Sequence, residues 1–135
     1  MIHLDTCLLI DLYREMARDR PGPAFDALES LDADDLLSVS VYVLCELRAG
    51  AELSRNALRE HEALDRLVSG LVVAYPDTRF APTYGRVLAA VERTGRSVAS
   101  MDLLIATAAL VDDAALLTKN VKDFSRVPGL RVIRY

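Results

Sequence analysis

Only two of the 135 residues are cysteine, Cys7 and Cys45, and they form no Cys-x-x-Cys pair. So sparse a set fits no disulfide framework, which makes a reducing cytosol the natural setting and gives each thiol the role of a small buried hydrophobe. Long apolar runs are missing as well. None approaches the roughly 20 residues of a membrane span. The opening MIHLDTCLLIDLYR has an acid at position 5 and lacks both a basic leader and a small-residue cleavage site, so it does not read as a secretory signal. Repeats, linkers and low-complexity segments are absent too. A chain of this length therefore reads as one domain, residues 1–135, near the common size of about 100–150. With 52% apolar residues it buries a core without a staple.

An excess of positive charge is also lacking. The net charge of −4 argues against an indiscriminate nucleic-acid binder, but the average hides an asymmetry. Residues 1–78 hold seven Arg against 15 acids, whereas residues 79–135 hold nine Lys and Arg against five. A basic half suits phosphates and an acidic half suits cations or a basic partner; solvated faces that differ by chance remain the alternative.

What is present is an alternation of short apolar runs and helical patterns. Strands are expected at Ile2–Leu4, Leu36–Val39, Leu71–Tyr75, Ala115–Thr118 and Leu130–Ile133. Helices are expected at Cys7–Met16, Ala24–Leu31, Val41–Ala51, Asn56–Val68, about Pro82–Thr94 and Met101–Val111. Asp5-Thr6, Ser40 and Ser100 would act as caps, and Gly50 and Gly95 as stops. Strands that are apolar throughout and separated by helices predict an α/β fold, three layers deep, with a parallel sheet of four to five strands. Ligands of such sheets gather beyond the carboxyl ends of the strands.

That rule directs attention to the acids there. Asp5 directly follows the first strand, where a helix cap is an equal reading. Glu46 sits in a helix that is apolar on several sides; burying it is costly unless it is paired, with Arg48 the structural candidate, or bound to metal. Asp102 opens an apolar helix, where a first-turn acid also suits the helix dipole. A polar turn, Thr118-Lys119-Asn120-Val121-Lys122-Asp123-Phe124, ends the fourth strand on the same rim. Carboxylates in this number suit Mg²⁺, with Mn²⁺ as a substitute.

Four blocks in order resemble the PIN-domain ribonucleases, specifically the VapC toxin family. They are Ile2-His3-Leu4-Asp5-Thr6, Ser38-Val39-Ser40 with Glu46-Leu47-Arg48-Ala49-Gly50, Met101-Asp102-Leu103-Leu104-Ile105-Ala106-Thr107-Ala108, and Leu116-Leu117-Thr118-Lys119-Asn120 with Phe124 and Pro128-Gly129-Leu130. The resemblance implies a PIN-like fold and a magnesium-dependent endoribonuclease that cleaves RNA phosphodiester bonds through a metal-activated water. It also implies control by a cognate VapB antitoxin, and a homodimer. Asp5 and Asp102 would hold the metal and Glu46 would complete the pocket. Two positions depart from the family pattern. Cys7 stands where Asn or Ser is frequent, and Asn120 stands where a fourth acid is frequent, which makes Asn120 a weaker fourth member and leaves Asp123 outside. Lys119, Lys122 and Arg126 are further candidates, for holding phosphates.

Two rival readings stay open. A phosphoacceptor receiver domain would have paired acids after its first strand and an acceptor Asp after a middle one, and Asp5-Thr6 and Tyr75-Pro76 fit that poorly. A catalytically silent fold of the same kind would lack some of the three acids. His3 and His61 read as structural or surface residues, and Phe80, Tyr75 and Tyr84 as packing residues ahead of base-stacking ones.

Overall fold

A computed structural model describes all residues, 1–135. Its twelve elements are β1 (Ile2–Leu4), α1 (Thr6–Ala17), α2 (Pro23–Glu29), β2 (Leu37–Ser40), α3 (Val41–Glu52), α4 (Ala57–Val68), β3 (Val72–Ala74), α5 (Phe80–Arg93), α6 (Ser100–Val111), β4 (Ala115–Thr118), α7 (Val121–Phe124) and β5 (Arg131–Arg134). All four strand pairings are parallel, in the order β3-β2-β1-β4-β5. Chain order reverses direction on either side of β1, so the switch point, where a crevice opens beyond the strand ends, lies between β1 and β4. Asp5 and Thr118 end those two strands.

The core explains the apolar strands. β1 and β4 are buried throughout, whereas the edge strands β3 and β5 are partly exposed. Leu4, Leu8, Leu9, Val39, Val43, Leu103, Ile105, Leu116 and Phe124 are almost wholly removed from water. Right-handed crossovers put α1 to α4 on one face of the sheet and α5 to α7 on the other, which matches the packing of α1 on α2 and α3, and of α5 on α6. No helix is long and apolar enough to cross a membrane.

Three local expectations are corrected. Gly50 does not stop α3, which runs on to Glu52: nothing lies within 4 Å of where a Cβ would stand, and its backbone stays helical. Ser100 is the first helical residue of α6 rather than its cap; Ala99 is the N-cap, with no side-chain bond. Cys45 is exposed, and Cys7 is half-buried and hydrogen-bonded, so neither is an inert core thiol. Gly95 does close α5, with φ +69, as a glycine just past a helix end can without strain.

The start of α2 shows how a missing cap is replaced. Gly22 at its N-cap has no side chain to offer, and Glu15 of α1 accepts instead from the backbone N–H groups of Gly22 (3.1 Å), Ala24 (2.9 Å) and Phe25 (2.9 Å). A Cβ on Gly22 would meet Glu15 Oε1 at 2.8 Å, so a larger residue there would make the Glu15 carboxylate shift. Glu15→Ala is expected to destabilise the fold by about 1–2 kcal/mol in urea unfolding, the cost of a lost helix cap. An unchanged midpoint would remove Glu15 from this role.

Candidate active site

The first turn of α1 starts at Asp5 because β1 must end there: the Asp5 N–H still donates to Leu117 O on β4 (3.1 Å), while its side chain turns back to cap the helix. Asp5 is buried, and every donor around it is accounted for. Its Oδ1 accepts from the Thr6 N–H (2.8 Å). Its Oδ2 accepts from the Thr118 hydroxyl (2.6 Å) and the Cys7 thiol (3.0 Å). Burial and the Asp5 carboxylate push the Cys7 thiol up, so Cys7 stays a neutral donor.

Glu46 reaches the same place from α3. Thr6 donates its hydroxyl to Glu46 Oε1 at 2.6 Å, so one residue grips two acids, Asp5 through its backbone and Glu46 through its side chain. Arg48 is not the partner of Glu46. It points to α4, where it bonds Asp65, His61 Nδ1 (3.1 Å) and His61 O (3.2 Å). Asp102, in the first turn of α6, completes the group. Burial first, then the charges of Asp5, Glu46 and Asp123, push its carboxyl up to about 6.

The structure therefore brings Asp5, Glu46 and Asp102 to one rim, and none of the three forms an ion pair, although eight ion pairs exist elsewhere. Asp123 is near enough to raise Asp102, but Arg126 partly neutralises it at 3.6 Å. Asn120 is the N-cap of α7. Its backbone N–H donates to Thr118 Oγ1 (3.0 Å), and its side chain makes no hydrogen bond. No three of these acids stand close enough to grip one ion together. Two carboxylates with water in the remaining positions is the usual donor set of a small hard cation, so the residues present fit Mg²⁺ or Mn²⁺.

Among the other candidates, Lys119 is held by Asp11 and Arg126 also donates to Ser97 O (3.1 Å), which leaves Lys122 without a partner. His3 lies away from the rim, buried in β1 with Nε2 2.8 Å from Asp112; burial pulls its pKa below the usual value. His61 belongs to the α3–α4 network, with Nε2 2.7 Å from Glu52. Phe80 and Tyr84 pack on each other, and Tyr75 is exposed.

Sequence reasoning missed Thr6 and Thr118 as members of the site. Thr6 directly follows Asp5 and Thr118 lies two residues before Asn120, but which hydroxyl faces a carboxylate depends on pairings 40 and 113 residues apart. Thr6→Val, which keeps the shape and removes the hydroxyl, is expected to lower activity about tenfold, whereas Thr6→Ser keeps it. Equal activity in both variants would show that the Glu46 contact does not matter.

A family model described as the PIN domain matches residues 2–130. Ribonuclease VapC1 of Haemophilus influenzae is 32% identical over 128 residues, which is 95% of this chain and 92% of that one. Ribonuclease VapC2 of Rickettsia felis is 31% identical over 110 residues, 82% of each. The crystal structure of VapBC2 from Rickettsia felis bound to a DNA fragment from their promoter superposes with a TM-score of 0.90 at 28% identity, covering 100% of this chain and 99% of that one. A family model that spans nearly the whole chain and a relative 32% identical over 95% of it show that this chain belongs to the PIN-domain family, among the VapC ribonucleases.

Proposed function

We propose that the chain is a metal-dependent endoribonuclease, the toxin of a toxin–antitoxin pair, with Asp5, Glu46, Asp102 and the weaker member Asn120 forming its site. One observation carries this reading: three acids converge at the switch point of the sheet, and none of them forms an ion pair. Unpaired carboxylates that are buried or half-buried are costly unless a cation joins them. Asp5 and Asp102 are the residues to hold Mg²⁺, or Mn²⁺ in its place. That cation, when bound, supplies polarisation of a phosphoryl oxygen and a more acidic attacking water.

The chain's own residues do the rest. Thr118, Cys7 and the Thr6 N–H fix the Asp5 carboxylate before any ligand arrives. Glu46, anchored at Oε1 by Thr6, keeps Oε2 free to orient a water in the pocket. Asn120 offers an amide oxygen without charge at the same rim.

The antitoxin, a VapB-type protein, is the expected partner. A groove beside Glu46, with Leu9, Ile10, Tyr13, Leu47 and Leu64 in its lining and Arg14 and Glu60 as charged members, suits an amphipathic helix, and the acids beyond it invite an Arg or Lys. The test is incubation of the purified chain with total RNA, with Mg²⁺ or Mn²⁺ and with excess EDTA, followed by sequencing of the new 5′ ends. Discrete cuts that need the metal support the reading. Undiminished cleavage in EDTA, or none in any metal, would sink it.

A further inference from the structure

A cluster of arginines lies apart from the Lys119–Arg126 turn that the sequence singles out. An open pocket of about 430 Å³ lies between the end of α1 and the loop into α2, lined by Asp11, Arg14, Glu15, Arg18, Arg20 and the Pro21–Pro23 turn, with no hydrophobic side chain. Its two acids are already engaged. Asp11 is bonded by Lys119 and by the Tyr135 hydroxyl (3.0 Å), with Arg14 3.6 Å from its other oxygen. Glu15 spends both oxygens on the three N–H groups at the start of α2. Asp19 lines the neighbouring hollow over Phe25 instead. Arg18 and Arg20 form no ion pair, so the pocket is left with net positive charge.

We propose that Arg14, Arg18 and Arg20 form a phosphate-binding subsite that receives the RNA strand on one side of the scissile bond. The inference rests on the nuclease reading above and extends it. Arg14 links the subsite to the acids, because it lines both this pocket and the groove that Glu46 lines, while Arg18 and Arg20 lie further out, past the C-terminal end of α1. Arg14 and Arg18 stand one helical turn apart, about 6 Å along the axis. That step is close to the separation of neighbouring phosphates in an extended single strand. The pocket is also preformed, because the Glu15 cap fixes the loop that carries Arg20. A helix C-terminus favours basic residues by its dipole, which accounts for Arg14 and Arg18 as structural residues but not for Arg20, which lies in the loop beyond.

Guanidinium groups bind phosphate by paired N–H donors and release counterions from a single strand, which lowers the salt slope by about 0.7 per contact. The test uses a fluorescein-labelled, random-sequence 20-nucleotide RNA, with the full chain in EDTA so that nothing is cut. Fluorescence anisotropy is read across a salt series. The triple variant Arg14→Gln, Arg18→Gln, Arg20→Gln is expected to bind about tenfold more weakly at 0.1 M salt and to flatten the slope by about 2. The matching Arg→Lys variant is expected to keep the slope. Wild-type slope and affinity in the glutamine variant overturn the subsite. So does a loss confined to antitoxin binding, which would assign the pocket to a protein partner. A wild type that cleaves in Mg²⁺ with an unchanged variant slope fails the subsite alone. A wild type that binds through these arginines but never cleaves fails the nuclease reading instead.

Discussion

Asp102→Asn is expected to abolish RNA cleavage, by a hundredfold or more, while making the metal-free protein more stable. Both effects come from the same crowding. Asp102 is pushed up to about 6 by burial and by three neighbouring carboxylates, so its charged form is a burden when no cation is present and an asset when one is. Removing the charge relieves the first and forfeits the second. Asp5→Asn is expected to match the loss of activity. Its carboxylate, however, already satisfies three donors, so this variant gains no stability. The check is a pair of melting curves in EDTA beside a cleavage assay in Mg²⁺. Asp102→Asn melting below wild type in EDTA would show that Asp102 is a structural partner rather than a ligand.

The sign of the pH effect follows. A carboxyl whose folded pKa is raised above its unfolded value contributes stability below the unfolded value, near 3.8, and that contribution is lost as pH rises through about 6. Metal-free wild type should therefore lose stability relative to Asp102→Asn between about pH 4 and pH 7. The difference is about 1 kcal/mol once solvent screening of this half-exposed group is allowed for. Mg²⁺ should reverse the trend above about pH 6, where the proton no longer competes for Asp102.

Much of this was legible in the sequence, because period and punctuation are local signals. Ser40 caps α3 through Val43 N, Gly95 ends α5, and Ala115–Thr118, apolar up to Leu117, is a buried central strand, all as the residues alone predict. The misread positions depended on what surrounds them. Gly50 lies inside α3, which ends two residues later at Glu52. Cys45 lies in an apolar stretch but on the exposed side of α3. The acids were visible as residues after strands; the hydroxyls that aim them were not, since Thr6 and Thr118 differ from other threonines only in tertiary contacts. Charge was misleading in the same way. Counted by halves, the N-terminal part is acidic, yet three of its seven arginines, Arg14, Arg18 and Arg20, line one pocket, where Asp11 and Glu15 are the only acids.

Thr118→Val is expected to cost both stability and activity, and Thr118→Ser separates the two. The Thr118 hydroxyl is fully buried, donates to Asp5 Oδ2 at 2.6 Å and accepts from the Asn120 N–H at 3.0 Å. Valine fills the same space, so no cavity forms, but it leaves Asp5 Oδ2 with only the Cys7 thiol as donor and the Asn120 N–H without a partner. That deficit should cost about 1–3 kcal/mol. It also frees Asp5 to shift, and a displacement of about 1 Å at a catalytic group is worth up to about a hundredfold in rate. Serine keeps both hydrogen bonds and loses only a methyl group, so it should lower the melting temperature through a small void at a cost of about 1 kcal/mol. Its activity should nevertheless stay near wild type. The expected order is therefore opposite to that of a purely structural residue, for which activity would follow stability in both variants. Measuring kcat and melting temperature for the pair decides it: if serine loses activity in proportion to its melting temperature, Thr118 does not position Asp5.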